Sequence, residues 1–357
     1  MQKKSVLFIG TPGILLYSTS IKKSLQKLDL QIYEPEYPKF KDQNALQKRF
    51  SRKEFLANFF HLQNQKYIEA LDKYKPDFIF VINNSRMNEE FLQYANKQQI
   101  PVYMYCIDSI RWCDKALEHM KYYDEIFSYE PSDTEIEFKP GKFVNFLPLG
   151  FDPDIYKPNY SITDKKYDIC FVGRLDKRRL FILEKVAEYA YKNNLNFVVY
   201  TSIQLFNIPH FWLIPKLLVR RLKYNLKYRY LMKYIINRPI IGDELTDLYN
   251  NSKICLNIHV GTHAGMHTGP NPRTFELLGC QAFEIIDASH LDKTILKSET
   301  HLVEFIDEKD LIKKINYYLQ NAAKRNSIAT NGFKTALKTY QLSKLIKQAL
   351  YQTKILN

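Results

Sequence analysis

The sequence predicts an α/β protein with two domains, each built on a mainly parallel sheet. Three observations predict it. Short, continuous apolar runs such as Phe78-Ile79-Phe80-Val81-Ile82 alternate with helix-patterned segments, as strands buried on both faces do. The 357 residues exceed one ordinary core and suit two domains of about 150 to 180 residues each. A polar stretch at 159–166 separates two such strand–helix sets.

Taken in order, residues 6–9 read as a strand, 10–13 as a turn and 20–28 as a helix. Residues 43–75 read as a long helical region that stops at Lys75-Pro76, where proline disfavours a preceding helical residue. The run 77–82 is a buried strand, 88–99 a helix and 101–105 the next strand, followed by Asp108. Short strands are expected at 123–128 and 144–147. After the linker, 167–172 opens the second set, leading through a Gly-Arg turn to a helix at 179–193 and a strand at 197–200. Later strands are expected at 254–258 and 282–286, and helices at 308–321 and 335–356.

Composition narrows the class. An apolar content of 45% marks a globular chain, not a disordered one. The first apolar run is too short for a signal peptide, and no run approaches the roughly 20 residues of a spanning helix. The five cysteines form no C-x-x-C pair, which suits reduced, buried thiols and a cytoplasmic protein rather than a disulfide framework or zinc site. The net charge of +14 fits an anionic partner such as a nucleotide diphosphate, a lipid headgroup or nucleic acid. It fits a lysine-rich composition equally well.

In open α/β sheets ligands bind beyond the carboxyl ends of the strands, so the polar residues there are the candidates. Asn271-Pro272-Arg273-Thr274-Phe275-Glu276 follows a loop rich in Gly and His. Proline near a first helical turn marks a helix start. Helix N-termini hold anions through free N–H groups and the macrodipole. Arg273 and Glu276, three apart, share one face there: the arginine suits a diphosphate and the glutamate a pair of sugar hydroxyls. The alternative is an intrahelical Arg–Glu pair. The turn from Gly173 to Arg179 brings Arg174, Lys177, Arg178 and Arg179 together after a strand, as a pyrophosphate site would; a solvated basic turn is the alternative. His259, His263 and His267 are spaced by four, but Gly261, Gly265 and Gly269 interrupt the run, so a loop is expected over the site and no metal. Asp108 is the candidate to orient or deprotonate an acceptor hydroxyl, or else to cap the next helix.

Residues 205–242 hold no acidic residue and interleave Lys and Arg with Phe, Trp and Tyr, broken by Pro209 and Pro215. Such a segment can lie on an anionic membrane surface or pack its apolar side on its own domain. Nucleic acid is the weaker reading and is not expected as a partner.

The pieces together resemble the CgeB-like glycosyltransferases, a branch of the glycosyl transferases group 1 set related to glycosyltransferase family 4. Matching pieces in the first half are Lys75-Pro76-Asp77, Asp108, Tyr123-Asp124-Glu125-Ile126-Phe127 and Leu147-Pro148-Leu149-Gly150. In the second half they are Val172-Gly173-Arg174, the run 248–254, the run 273–280, Asp310-Leu311-Ile312-Lys313-Lys314-Ile315 and Ile328-Ala329-Thr330-Asn331-Gly332. The resemblance implies a GT-B fold of two Rossmann-like domains facing across a cleft, with no catalytic metal and no cofactor beyond the nucleotide-diphosphate sugar. It implies an acceptor-side domain at 1–160, a nucleotide-sugar-binding domain at 161–334, and a closing helix at 335–357 that crosses back to the first domain. Glu276 matches the second glutamate of the family's paired-Glu motif and would bind ribose hydroxyls; Thr268 stands where the first would be. Arg174 matches the phosphate-binding arginine, and Arg178 and Arg179 stand near the place of its usual lysine partner.

The donor-site expectation therefore comprises Gly173, Arg174, Arg178, Arg179, Asn271, Arg273, Thr274 and Glu276, with Asp108 and Glu276 as the catalytic candidates. The function expected is transfer of a sugar from a nucleotide diphosphate to a glycan or lipid-linked acceptor, in synthesis of cell-surface polysaccharide or glycoconjugate. The protein is expected in the cytoplasm, with 205–238 as the segment that meets the inner membrane face. The rival is a catalytically inactive GT-B-fold binding protein.

Overall fold

The structure is a computed structural model and describes residues 3–10, 15–37, 52–113, 115–201, 226–260, 270–288, 291 and 294–356. The chain divides into two compact units: Met1–Leu149 with Leu342–Asn357, and Gly150–Gln341.

The first unit holds strands β1 (Ser5–Ile9), β2 (Gln31–Tyr33), β3 (Phe78–Ile82), β4 (Val102–Cys106) and β5 (Glu125–Ser128). A small antiparallel hairpin, β6 (Glu137–Lys139) with β7 (Lys142–Phe143), precedes β8 (Asn145–Phe146). The parallel sheet runs in the order β2-β1-β3-β4-β5-β8. Every residue of β3 and β4 is buried, which is why both read as unbroken apolar runs. Helices α1 (Leu15–Gln26), α2 (Arg52–Tyr74) and α3 (Glu89–Lys97) connect the strands. Asn88 caps α3, its side chain accepting from Phe91 N at 3.0 Å.

The second unit holds β9 (Tyr167–Val172), β10 (Phe197–Thr201), β11 (Ile235–Asn237), β12 (Ser252–Asn257), β13 (Glu284–Asp287) and β14 (Val303–Phe305). Its order is β11-β10-β9-β12-β13-β14, with every pair parallel. Numbered within the unit, that is 3-2-1-4-5-6, the dinucleotide-fold order, in which the direction of winding reverses between β9 and β12. Its helices are α4 (Lys177–Lys192), α5 (Gly242–Asn250), α6 (Pro272–Gly279), α7 (Glu308–Gln320) and α8 (Ala322–Thr339). The core gathers Phe171, Leu183, Val186, Val199, Ile254, Leu256, Ile285 and Ile315 around the sheet.

Two boundaries differ from the expectation. The first unit ends at Leu149, not at 160. The reason is local packing: Phe151 lies against Gly279 so closely that a Cβ there would stand 2.4 Å from its ring. The Asn250 side chain donates to Lys157 O at 3.0 Å and accepts from Asn159 N at 2.7 Å, which ties 151–159 to α5. At the other end, the helix expected across 335–356 is broken at Tyr340 and Gln341. Helix α8 stops at Thr339, and a separate α9 (Leu342–Gln352) belongs to the first unit. There it packs on α1 through buried Leu342, Leu345, Ile346, Ala349 and Leu350.

The structure also contains β2, β11 and β14, which periodicity did not predict. Each is three residues long and an edge strand, too short to establish a pattern.

Candidate functional site

Beyond the carboxyl ends of β9 and β12, the second unit assembles its polar residues. Helix α6 begins as expected: Pro272 occupies its first turn, and Asn271 caps it, accepting from Arg273 N at 3.1 Å. The cap itself is held in place. Asn271 and Asn257 exchange two amide hydrogen bonds, each 2.9 Å. Asn257 also donates to Glu284 Oε1 at 2.7 Å.

Arg273 and Glu276 do share a face, but they do not pair directly. Tyr249, on α5, stands between them: its hydroxyl accepts from Arg273 Nη1 and donates to Glu276 Oε2 at 3.3 Å. Tyr156 also stands beside Glu276 and favours its charged form. Burial pushes the Glu276 carboxyl above its ordinary range, and Arg273 and the two tyrosine hydroxyls pull it back in part. Burial works against the charge on Arg273, but Tyr249 and Glu276 outweigh it and its pKa is raised.

The Gly173–Arg179 turn has a different organisation from the one its charges predict. Arg178 Nη1 donates to Asp287 Oδ2 at 2.6 Å and to His259 O at 2.9 Å. Arg179 donates through Nε to Ile258 O at 2.8 Å and through Nη1 to Arg174 O at 2.7 Å. Burial lowers the Arg179 pKa to about 10, with the positive charge of Arg273 adding to the effect. The two arginines expected to hold phosphate therefore brace the backbone where the sheet reverses its winding. Arg174 is exposed, and among the described residues its guanidinium has no hydrogen bond or ion pair. Gly173 is tightly fitted: a Cβ would meet Phe171 at 3.2 Å and Arg179 Nη1 at 3.3 Å.

Thr274 is engaged within the unit. Fully buried, its hydroxyl donates to Glu284 Oε1 at 2.9 Å. Burial raises Glu284 to about 7, against the pull of Asn257 and Thr274. Its Oε2 has no partner among the described residues. Asp287 accepts from His259 Nδ1 at 2.6 Å as well as from Arg178. Burial raises its pKa, but those partners outweigh it and hold the carboxyl below its ordinary range. Tyr156, Tyr249, Asn257, Glu284 and Asp287 carry no local sequence signal for these contacts. Their partners lie far along the chain.

Asp108 belongs to the first unit, two residues beyond the end of β4, and is exposed. Asn83 Nδ2 donates to its Oδ2 at 2.9 Å, while Asn83 Oδ1 accepts from Ile107 N at 2.7 Å. Asn83 and Asn84 both have positive φ, 51° and 56°, a conformation that asparagine tolerates better than most residues. Asp108 does not cap the following turn: Ser109 does, accepting from Arg111 N at 3.3 Å. Behind it Asp133, fully buried, accepts from Ser109 Oγ at 3.0 Å, Ile110 N at 2.8 Å and Ser128 Oγ at 2.7 Å, and pairs with Arg111.

His263, His267, Thr268 and the expected loop at 261–269 lie outside the described residues, as do 202–225 of the basic segment. The remainder of that segment packs on its own unit, with Tyr228 and Leu231 in the core. Lys233 sits 3.8 Å from the centre of the Tyr191 ring. Among the described residues, no helix is long and apolar enough to cross a membrane.

Residues 178–351 match the family model described as "Glycosyl transferase-like". That stretch is similar to this family. The chain carries a glycosyltransferase domain. It is 20% identical over 297 residues to spore protein CgeB of Bacillus subtilis, covering 77% of this chain and 82% of that protein. Two solved structures are similar across nearly the whole length. HepE of Anabaena, in complex with UDP and glucose, has a TM-score of 0.64 at 11% identity and covers 98% of this chain and 99% of its own. Sucrose-phosphate synthase of Thermosynechococcus elongatus has a TM-score of 0.66 at 12% identity and covers 100% of both chains. At these identities the likeness carries the fold, which is GT-B.

Proposed function

We propose that this chain transfers a sugar from a nucleoside diphosphate to a glycan or lipid-linked acceptor, in making a cell-surface polysaccharide or glycoconjugate. The observation that carries this reading is the Arg273–Tyr249–Glu276 array at the capped start of α6. It joins a cation, a helix N-terminus and a carboxylate within one turn, beside the point where the strand order reverses. In this reading Glu276 takes the ribose hydroxyls, and Arg273, Arg174 and the free N–H groups of α6 take the diphosphate.

As the sugar–phosphate bond breaks, negative charge grows on the leaving diphosphate. The held Arg273 guanidinium and the helix N–H donors stabilise that charge without reorganising, with Arg174 free to close on it, and this task needs no metal. Arg178 and Arg179 act indirectly, by fixing the backbone at 258–259. Asp108, held by Asn83, is the group proposed to orient or deprotonate the acceptor hydroxyl. The likeness to HepE, solved with UDP and glucose, makes UDP-glucose the first donor to try. Residues 205–238 are proposed to meet the inner face of the membrane where a lipid-linked acceptor would sit.

The test is release of nucleoside diphosphate from UDP-, GDP- and ADP-sugars in the presence of membrane and glycan fractions. The wild type should release one diphosphate and Glu276→Ala should lose at least about 100-fold in rate. Binding without release, in every fraction tried, would favour the inactive binding protein that Thr268 in place of the first motif glutamate suggests.

A further inference from the structure

We infer that Tyr249 and Tyr156 are positioning residues that aim the Glu276 carboxylate at the two ribose hydroxyls of the donor and so make the site select ribonucleotides over deoxyribonucleotides. The inference rests on the donor-site reading above and names what that reading leaves open: how a half-buried carboxylate is held in one orientation.

The geometry is specific. Tyr249 is 1% exposed and Tyr156 5%, so both rings are locked by packing. They come from different parts of the second unit, Tyr249 from α5 and Tyr156 from the segment that follows Phe151. That segment is anchored by Thr246 Oγ1, which donates to Ile155 O at 3.3 Å, and by Asn250 Nδ2, which donates to Lys157 O at 3.0 Å. Two fixed hydroxyls thus approach Glu276 from two elements. An ionised carboxylate has about four acceptor sites. The Tyr249 hydroxyl occupies one of them, Tyr156 stands beside the group, and the rest are left for a vicinal diol. Burial pushes both phenols well above their ordinary pKa, so both remain donors at any physiological pH.

The other charged and titratable groups around Glu276 are Arg273 on its own helix and Cys280 just past the end of it. Arg273 also donates to Tyr249, so the phenol ties the diphosphate-side cation to the ribose-side carboxylate. Burial raises the Glu276 pKa, while Arg273 and the two hydroxyls lower it. Removing the hydroxyls removes part of the lowering. The carboxyl then takes up a proton at a higher pH, and ribose binding weakens as pH falls.

The experiment measures dissociation constants of UDP, GDP and ADP and of their 2′-deoxy counterparts, from pH 5 to pH 8. It uses wild type, Tyr249→Phe, Tyr156→Phe, the double variant and Glu276→Ala. Wild type should prefer the ribonucleotide that it binds, and Glu276→Ala should abolish the preference. Each single Phe variant should reduce the preference about 10-fold. In the double variant, ribonucleotide binding should fall between pH 7 and pH 5 more steeply than in wild type. The ratio is internal to each protein, so loosened packing that weakens both ligands equally leaves it unmoved. If Glu276→Ala loses the preference while both Phe variants keep it, with an unchanged pH profile, the inference is overturned and the donor-site reading stands. If Glu276→Ala keeps the preference, or no diphosphate binds wild type, the donor-site reading fails and the inference with it.

Discussion

The two units share a plan and differ in chemistry. Among the described residues each has a six-stranded parallel sheet, but the first winds β2-β1-β3-β4-β5-β8 and the second β11-β10-β9-β12-β13-β14. At the carboxyl ends of its strands the second unit gathers Arg174, Arg178, Arg179 and Arg273 with a capped helix start. The first gathers Asn83, Asn84 and Asp108, backed by the buried Asp133. A cationic rim suits a diphosphate, and an amide and carboxylate rim suits a hydroxyl. One architecture thus carries two kinds of polar rim through the residues that follow its strands.

Each rim rests on buried supports that substitution can remove. The largest expected effect is in the first unit. Asp133→Ala takes the acceptor from three buried donors, while Arg111 stays solvated and bonded to Ser132, so stability should fall by about 3 to 5 kcal/mol, about 1 to 2 for each donor left unsatisfied, read as a shift of the denaturant midpoint. Asp133→Asn should be milder, because the amide oxygen still accepts.

The next effect lies beneath the rim of the second unit. Glu284 titrates near 7 when folded, above its ordinary 4.5. The sign follows from linkage: its contribution is full below the unfolded pKa and is lost as pH rises through the folded one. Wild type should therefore lose about 3 kcal/mol relative to Glu284→Gln between pH 4.5 and pH 8. Equal pH dependence in the two proteins would show that the carboxyl is not held neutral by burial.

A smaller change sharpens the boundary between the units. Gly279→Ala would drive a methyl group into the Phe151 ring and should cost about 1 to 3 kcal/mol. Phe151→Leu in the same chain should restore part of it. No loss in Gly279→Ala would mean that 151–159 is not packed on α6.

Much of this was legible along the chain, and the limit is one of distance. The central strands announced themselves by runs such as 78–82, because both faces are buried. The edge strands Gln31–Tyr33, Ile235–Asn237 and Val303–Phe305 did not, being three residues long. The start of α6 was readable from Pro272 and Asn271. That Arg178 and Arg179 were cations near a strand end was plain, but not that they would be taken up by carbonyls at 259 and 258. Tyr249 stood out only as part of the run 248–254 that carries the resemblance. Its hydroxyl matters because α5 lies beside α6, a fact of tertiary packing that no local pattern encodes. The domain boundary misled for the same reason: the polar stretch 159–166 reads as the linker and sets the boundary at 160, yet Phe151 and Tyr156 before it are buried in the second unit.

The most direct measurement is a thermal-unfolding screen of wild type and Glu276→Ala with UDP, GDP, ADP, TDP and CMP. A ligand at about 100 times its dissociation constant stabilises by roughly 2.7 kcal/mol, a shift of a few degrees for a chain of this size. The account predicts that one diphosphate shifts wild type and leaves Glu276→Ala unmoved. Equal shifts in both proteins, or none in wild type, would contradict the claim that the start of α6 is a nucleoside diphosphate site.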